Sequence, residues 1–116
     1  MPKYFLALYA PEPTSPPPAE MIKQISDMFE AYTQSLRKIG AYVEGDGFQG
    51  SNTAQTVRAK DGKPTTARGT ATPGAKEQLQ GFYTIQAKDD KHAAELASGC
   101  PTVQLGTVEV RPIIVY

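Results

Sequence analysis

The chain has 116 residues, in which twelve Lys and Arg balance twelve Asp and Glu to a formal net charge of zero. With 40% hydrophobic and 21% charged residues it can bury one core, whereas two cores would leave fewer than about sixty residues each. Zero net charge withholds the bulk attraction to phosphate that a basic nucleic-acid binder shows, and one cysteine, Cys100, excludes an internal disulfide framework.

Tyr4-Phe5-Leu6-Ala7-Leu8-Tyr9 is apolar on both faces and bounded by prolines, which predicts a central strand. It is too short for a signal-peptide core and far short of the roughly 20 residues that span a bilayer. The expectation is a soluble, cytoplasmic domain without a membrane partner. Five prolines between Pro11 and Pro18 make a stiff polyproline connector. Met21, Ile22, Ile25, Met28, Phe29, Tyr32, Leu36 and Ile39 then repeat at helical spacing, predicting a helix from near Pro18 to Ile39 with Gly40 as its left-handed terminator.

Ala41 to Glu44 reads as a strand that ends in a Gly-rich turn, Gly45 to Gly50. Thr56 to Ala67 reads as a hairpin about Asp61-Gly62, with one wet face or a sheet edge. Arg68 to Ala75 is loop, and Gly81 to Ala87 the next strand. Asp89 or Asp90 caps a short helix with an inward stripe of Ala93, Leu96, Ala97 and Cys100. Val103 to Val110 is predicted as the last strand, followed by an apolar run, Ile113 to Tyr116. The order is that of an α+β, ferredoxin-like βαββαβ domain with an extra hairpin, spanning residues 1–116. Two helices on one face leave the other bare, and a second copy of the chain is its expected cover: a homodimer.

Chemical motifs are weak. Gly45-Asp46-Gly47-Phe48-Gln49-Gly50 matches G-x-G-x-x-G, but no helical stripe follows to aim amides at a pyrophosphate. Gly69 to Lys76 misplaces the lysine of a phosphate-binding loop and offers Glu77 in place of Ser or Thr. His92 is the single histidine, so no two-histidine metal site forms within a chain, and it reads as an exposed residue. Cys100 reads as a small buried hydrophobe at a helix end, and Glu44 with Asp46 as a solvated strand end. No cofactor or metal is expected.

Lys76, Glu77, Tyr83, Glu109 and Arg111 form the informative set. Glu109 and Arg111 share the strand face opposite Val108 and Val110, and charges on a central strand must pair or meet a ligand. One reading pairs Lys76 with Glu109 and Arg111 with Glu77. The other makes a pocket in which Arg111, Lys76 and Tyr83 bind the ligand, Arg111 forking an anionic group, with Glu77 and Glu109 as candidate catalytic residues.

Lys76 to Ile85, Ala87-Lys88-Asp89, Ala93 to Ala97, Cys100-Pro101 and Gly106 to Ile113 resemble the YCII-related proteins, specifically the branch named for an Asp-Gly-Pro-Phe signature. That signature is degenerate here: an ungapped register puts its first four residues on Gly69-Thr70-Ala71-Thr72, a one-residue insertion puts its Gly on Gly69 and its Asp on Arg68, and only Lys76-Glu77 survive. The His-Asp pair that some relatives carry near the first helix is missing too, with Asp27 present and no histidine near it. The resemblance implies a ferredoxin-like domain that dimerises, sheet to sheet, into an α/β barrel, and a genomic association of such relatives with extracytoplasmic-function sigma factors. The expected function is binding of a small polar or anionic metabolite in the cleft between sheet and helices. Two alternatives stand beside it: an interaction module that works through the 69–74 loop, and a cofactor-free lyase or isomerase of the dehydrochlorinase type.

Overall fold

In the computed structural model, which describes residues 1–116, the first apolar run is β1 (Lys3–Ala10) and sits inside the main sheet, as its two-sided hydrophobicity requires. The chain continues through α1 (Ala19–Lys38), β2 (Tyr42–Gly47), a 3-10 turn (Ser51–Thr53), β3 (Gln55–Lys60), β4 (Lys63–Arg68), β5 (Gln78–Gln86), α2 (Asp90–Ser98), α3 (Thr102–Leu105) and β6 (Thr107–Pro112). The main sheet has the order β2-β5-β1-β6 and is antiparallel throughout, while β3 and β4 form a separate two-stranded ribbon. This is an α+β arrangement consistent with a ferredoxin-like domain into which a hairpin has been inserted.

Alternation along the strands decides what each face carries. Tyr4, Leu6 and Leu8 of β1 and Tyr83 and Ile85 of β5 face the helices, where they meet Tyr32 and Leu36 of α1 and Ala93 and Ala97 of α2 in one core. The alanines let α2 approach closely. The Asp89 carboxylate accepts the His92 amide at 2.8 Å, which caps that helix. The Tyr4 hydroxyl donates to Asp90 at 2.9 Å and the Tyr32 hydroxyl to the Leu96 carbonyl at 2.8 Å. α1 ends at Gly40 in the left-handed region, φ 73°, as its sequence predicts.

Four expectations need correction. Val103 to Leu105 is not strand: Thr102 is buried, and the Gln104 and Gly106 amides donate to the carbonyls of Pro101 and Thr102, closing the short α3. A short apolar run does not tell strand from helix by periodicity. Gly45-Asp46-Gly47 is the end of β2, not a turn. The inserted hairpin has no dry face and joins no sheet edge, for nearly every residue of β3 and β4 is exposed. His92 is half-buried, and its Nδ1 accepts the Lys88 amide at 2.9 Å, so it braces the start of α2. The Cys100 reading holds: the thiol is buried, and burial raises its pKa.

The chain is a slab, 47 × 44 × 19 Å, with a radius of gyration of 16.1 Å, against about 13 Å for a compact chain of this length. Its thinness is that of one helix layer on one sheet. No helix is long and apolar enough to cross a membrane.

Candidate functional site

A cavity of about 490 Å³ lies between the sheet and the part of α1 that carries Phe29 and Thr33, a volume that suits a small molecule. Its floor is made by three glycines, Gly45 and Gly47 of β2 and Gly81 of β5, and its roof by Phe29 and Thr33 of α1. Leu8, Tyr83 and Thr102 close the sides. The glycines answer to close approach. A Cβ on Gly81 would sit 2.6 Å from the Asp46 carbonyl oxygen, and one on Gly45 would sit 2.7 Å from the Tyr83 ring. Gly47 is different, because the nearest atom to a Cβ there would be the Gln80 carbonyl oxygen at 4.0 Å. The floor therefore lacks the side chains that would otherwise fill the space beneath the helix.

Inside, the Thr33 and Tyr83 hydroxyls lie 2.9 Å apart, either one able to donate. Burial pushes the Tyr83 phenol up, partly opposed by the Thr33 hydrogen bond. Tyr83 is thus a neutral hydrogen-bonding group at physiological pH, and the direction of its shift is wrong for a general base. Its ring is held edge-on by Tyr32 and Tyr42, at centroid distances of 5.3 and 6.4 Å. Asp46 is the one lining residue with a full charge. The register pairs it with Phe82, so its carboxylate leaves on the face opposite Tyr83. The cavity's own polar groups are hydroxyls and peptide groups.

The open face of the sheet is built otherwise. Phe5 and Phe82 stack at 5.5 Å and Phe82 and Phe48 at 5.9 Å, forming an aromatic row across three segments. Beside it a shallow groove of about 530 Å³ is lined by Phe5, Ala7, Tyr9, Glu109, Arg111 and the C-terminal apolar run. Ile114, Val115 and Tyr116 are 69%, 88% and 108% exposed.

The sheet thus separates the residues that the sequence grouped together. Tyr83 lines the cavity, whereas Glu109 and Arg111 lie on the opposite face, across from Ala7 and Phe5. Lys76 and Glu77 belong to the loop before β5, the first exposed and the second half-buried. Neither proposed pairing forms; the one ion pair in the chain is Lys23 with Asp27 on α1, at 2.9 Å. The reason is topological: β6 is an edge strand, so its open-face charges meet solvent and need no partner. Sequence reasoning missed Thr33, Phe29 and the glycine floor. The available signal was Gly45, Gly47 and Gly81 inside strands, where glycine marks close backbone approach or missing packing.

A contact that the sequence does not advertise lies outside the cavity, between Glu12 and Ser51. Glu12, in the proline connector, accepts the Ser51 amide at 2.7 Å and also the Ser51 hydroxyl. These bonds hold its carboxyl below the usual carboxylate range, and they tie the connector to the segment that leads into the ribbon.

Comparison with curated proteins finds no match. The family model of the YCII-related domain matches residues 4–116, nearly the whole chain, and the protein belongs to the YCII-related family.

Proposed function

We propose that this protein is a small-molecule-binding YCII-related domain that holds a neutral, polar ligand in the cavity between α1 and the sheet. The observation that carries this reading is the glycine floor beneath Phe29 and Thr33 of α1, with the hydrogen-bonded hydroxyls of Thr33 and Tyr83 among the lining residues. A ligand with one apolar face and one or two hydroxyl, amide or carbonyl groups fits it: Phe29 and Leu8 supply apolar contact, and the hydroxyl pair and strand peptides supply directional bonds. The lining has no cation to compensate an anion buried there, which favours the polar over the anionic alternative. With its phenol held neutral, Tyr83 orients the ligand. Binding, not turnover, is what this lining supports.

The same reading includes a homodimer over the open sheet face. The aromatic row of Phe5, Phe82 and Phe48, the exposed C-terminal run and the 19 Å thickness of the slab support it. In that setting Glu109 and Arg111 belong to the subunit contact.

A thermal-shift screen of the full chain against pooled neutral and anionic metabolites tests the reading. A neutral hit should raise the melting temperature of the wild type and of Arg111→Ala, and should lose most of that effect in Thr33→Val. A ligand at 100 times its dissociation constant adds roughly 2.7 kcal/mol. A hit that ignores Thr33→Val and vanishes with Arg111→Ala would move the site to the open face. No shift from any pool would overturn small-molecule binding in favour of an interaction module.

A further inference from the structure

The ribbon of β3 and β4 carries Arg58, Lys60, Lys63 and Arg68 against Asp61, a net charge of +3 within a neutral chain, so the rest of the molecule carries −3. Its register sorts these charges. Lys60 lies directly across from Lys63 and Arg58 across from Thr65, so Arg58, Lys60 and Lys63 share one face with Thr56 and Thr65. Like charges directly opposite each other destabilise a two-stranded pair, and a lone ribbon is at best marginally stable in water. None of these cations meets a carboxylate within the chain; Arg58 donates to the Ala71 carbonyl at 3.3 Å and nothing more. A ribbon with this pattern offers its cationic face to an anionic surface.

The body of the protein supplies a matching one. Glu44 and Asp46 stand on the open face of β2, an edge strand, opposite Thr84 and Phe82. Both are exposed and neither is paired with a cation. The ribbon leaves the sheet at the same corner: Tyr9, Phe48 and Leu79 of the body and Thr56 and Val57 of the ribbon line one groove. The ribbon is therefore continuous with the aromatic open face.

We infer that the ribbon is a dimerisation arm whose cationic face, Arg58, Lys60 and Lys63, docks on Glu44 and Asp46 of a second copy. The charge division favours a second copy over another polyanion: the +3 arm meets no acid of its own chain, and the −3 body of another copy balances it. A two-fold axis then makes the contact twice. The inference rests on the dimer proposed above, and adds to it a polar contact that sets which way the two sheets face.

The test is sedimentation velocity of the full chain and three charge variants, with circular dichroism to confirm folding. Reversal of the arm (Arg58→Glu, Lys60→Glu, Lys63→Glu) should weaken self-association at least about tenfold. Reversal of the strand (Glu44→Lys, Asp46→Lys) should do the same, and combining all five should restore most of the loss. A neutral arm (Arg58→Gln, Lys60→Gln, Lys63→Gln) keeps the test valid if a reversed arm fails to fold. Dimers of equal strength in every variant would refute the arm contact and leave the sheet-face dimer standing. A wild type that stays monomeric would refute both. Wild type whose arm cations retain a fluorescent oligonucleotide, with self-association unchanged by their reversal, would overturn the inference in favour of nucleic acid.

Discussion

The two halves of α1 carry the same apolar stripe and meet opposite fates. In the C-terminal half, Tyr32 and Leu36 are buried against Leu6, Tyr83 and Ile85. In the N-terminal half, Met21, Ile22 and Met28 stay 49%, 52% and 48% exposed. The stripe does not change; what it meets does. Tyr32 and Leu36 enter the core, and α1 contributes no buried residue before Tyr32. A helical stripe reports what a helix can bury, and the opposing surface decides what it does bury.

Substitutions along the helix should expose that contrast. Leu36→Ala, at a side chain only 1% exposed, should cost about 2–5 kcal/mol in chemical denaturation. Next in size comes Gly81→Ala: its Cβ would press on the Asp46 carbonyl, a backbone atom that cannot rotate away. Separating β2 from β5 to make room should cost about 1–3 kcal/mol. Thr33→Val keeps the shape and removes one hydrogen bond to Tyr83, for a loss of about 0.5–1.5 kcal/mol. Met28→Ala, in the unsupported half, should fall within about 0.5 kcal/mol of wild type. A Met28→Ala cost that matched that of Leu36→Ala would show the helix packed along its full length, and the comparison would fail.

Titration offers an independent check on the packed side. Burial raises the phenols of Tyr32 and Tyr83 above the ordinary tyrosine value, while the unfolded chain titrates near about 10. The folded state holds these protons more tightly than the unfolded state. Their contribution is therefore fully present below that pH, and it is lost as pH rises through the raised values. Melting temperature should fall on the alkaline side, and Tyr83→Phe should flatten the fall. Glu12 works in the opposite sense. Its lowered carboxyl supports folding above the usual carboxylate range, and that support is lost as the pH drops through the lowered value. Glu12→Gln should remove this acid-side slope in a pH series of melting curves.

Much of the fold was legible in the sequence because local chemistry agreed with tertiary context. The two-sided hydrophobicity of Tyr4 to Tyr9 identified a central strand, Gly40 closed α1, and Asp61-Gly62 formed a turn with both residues at positive φ, 53° and 79°. The site was less legible, for a physical reason. A cavity is made by missing atoms, and the sequence reports it only through glycines, which also mark turns. From sequence alone, Gly45 and Gly47 carry that second sense. The Glu109–Arg111 pair misled in another way: alternation correctly placed both on one face, but a strand's place in the sheet, edge or centre, depends on pairing that the residues do not state. With Arg111 and Tyr83 on opposite faces, one shared pocket within a single sheet cannot hold both.

The most direct test of the central claim is a plug. Gly47→Leu places a side chain over the glycine floor, where the nearest atom to its Cβ is 4.0 Å away. Melting temperatures would be measured with and without the strongest hit from the metabolite screen. The plugged protein should be folded and at least as stable as wild type, and it should no longer respond to the ligand. A plugged protein that gains as much from the ligand as wild type does would contradict the central claim, because the ligand would then be held somewhere other than beneath α1.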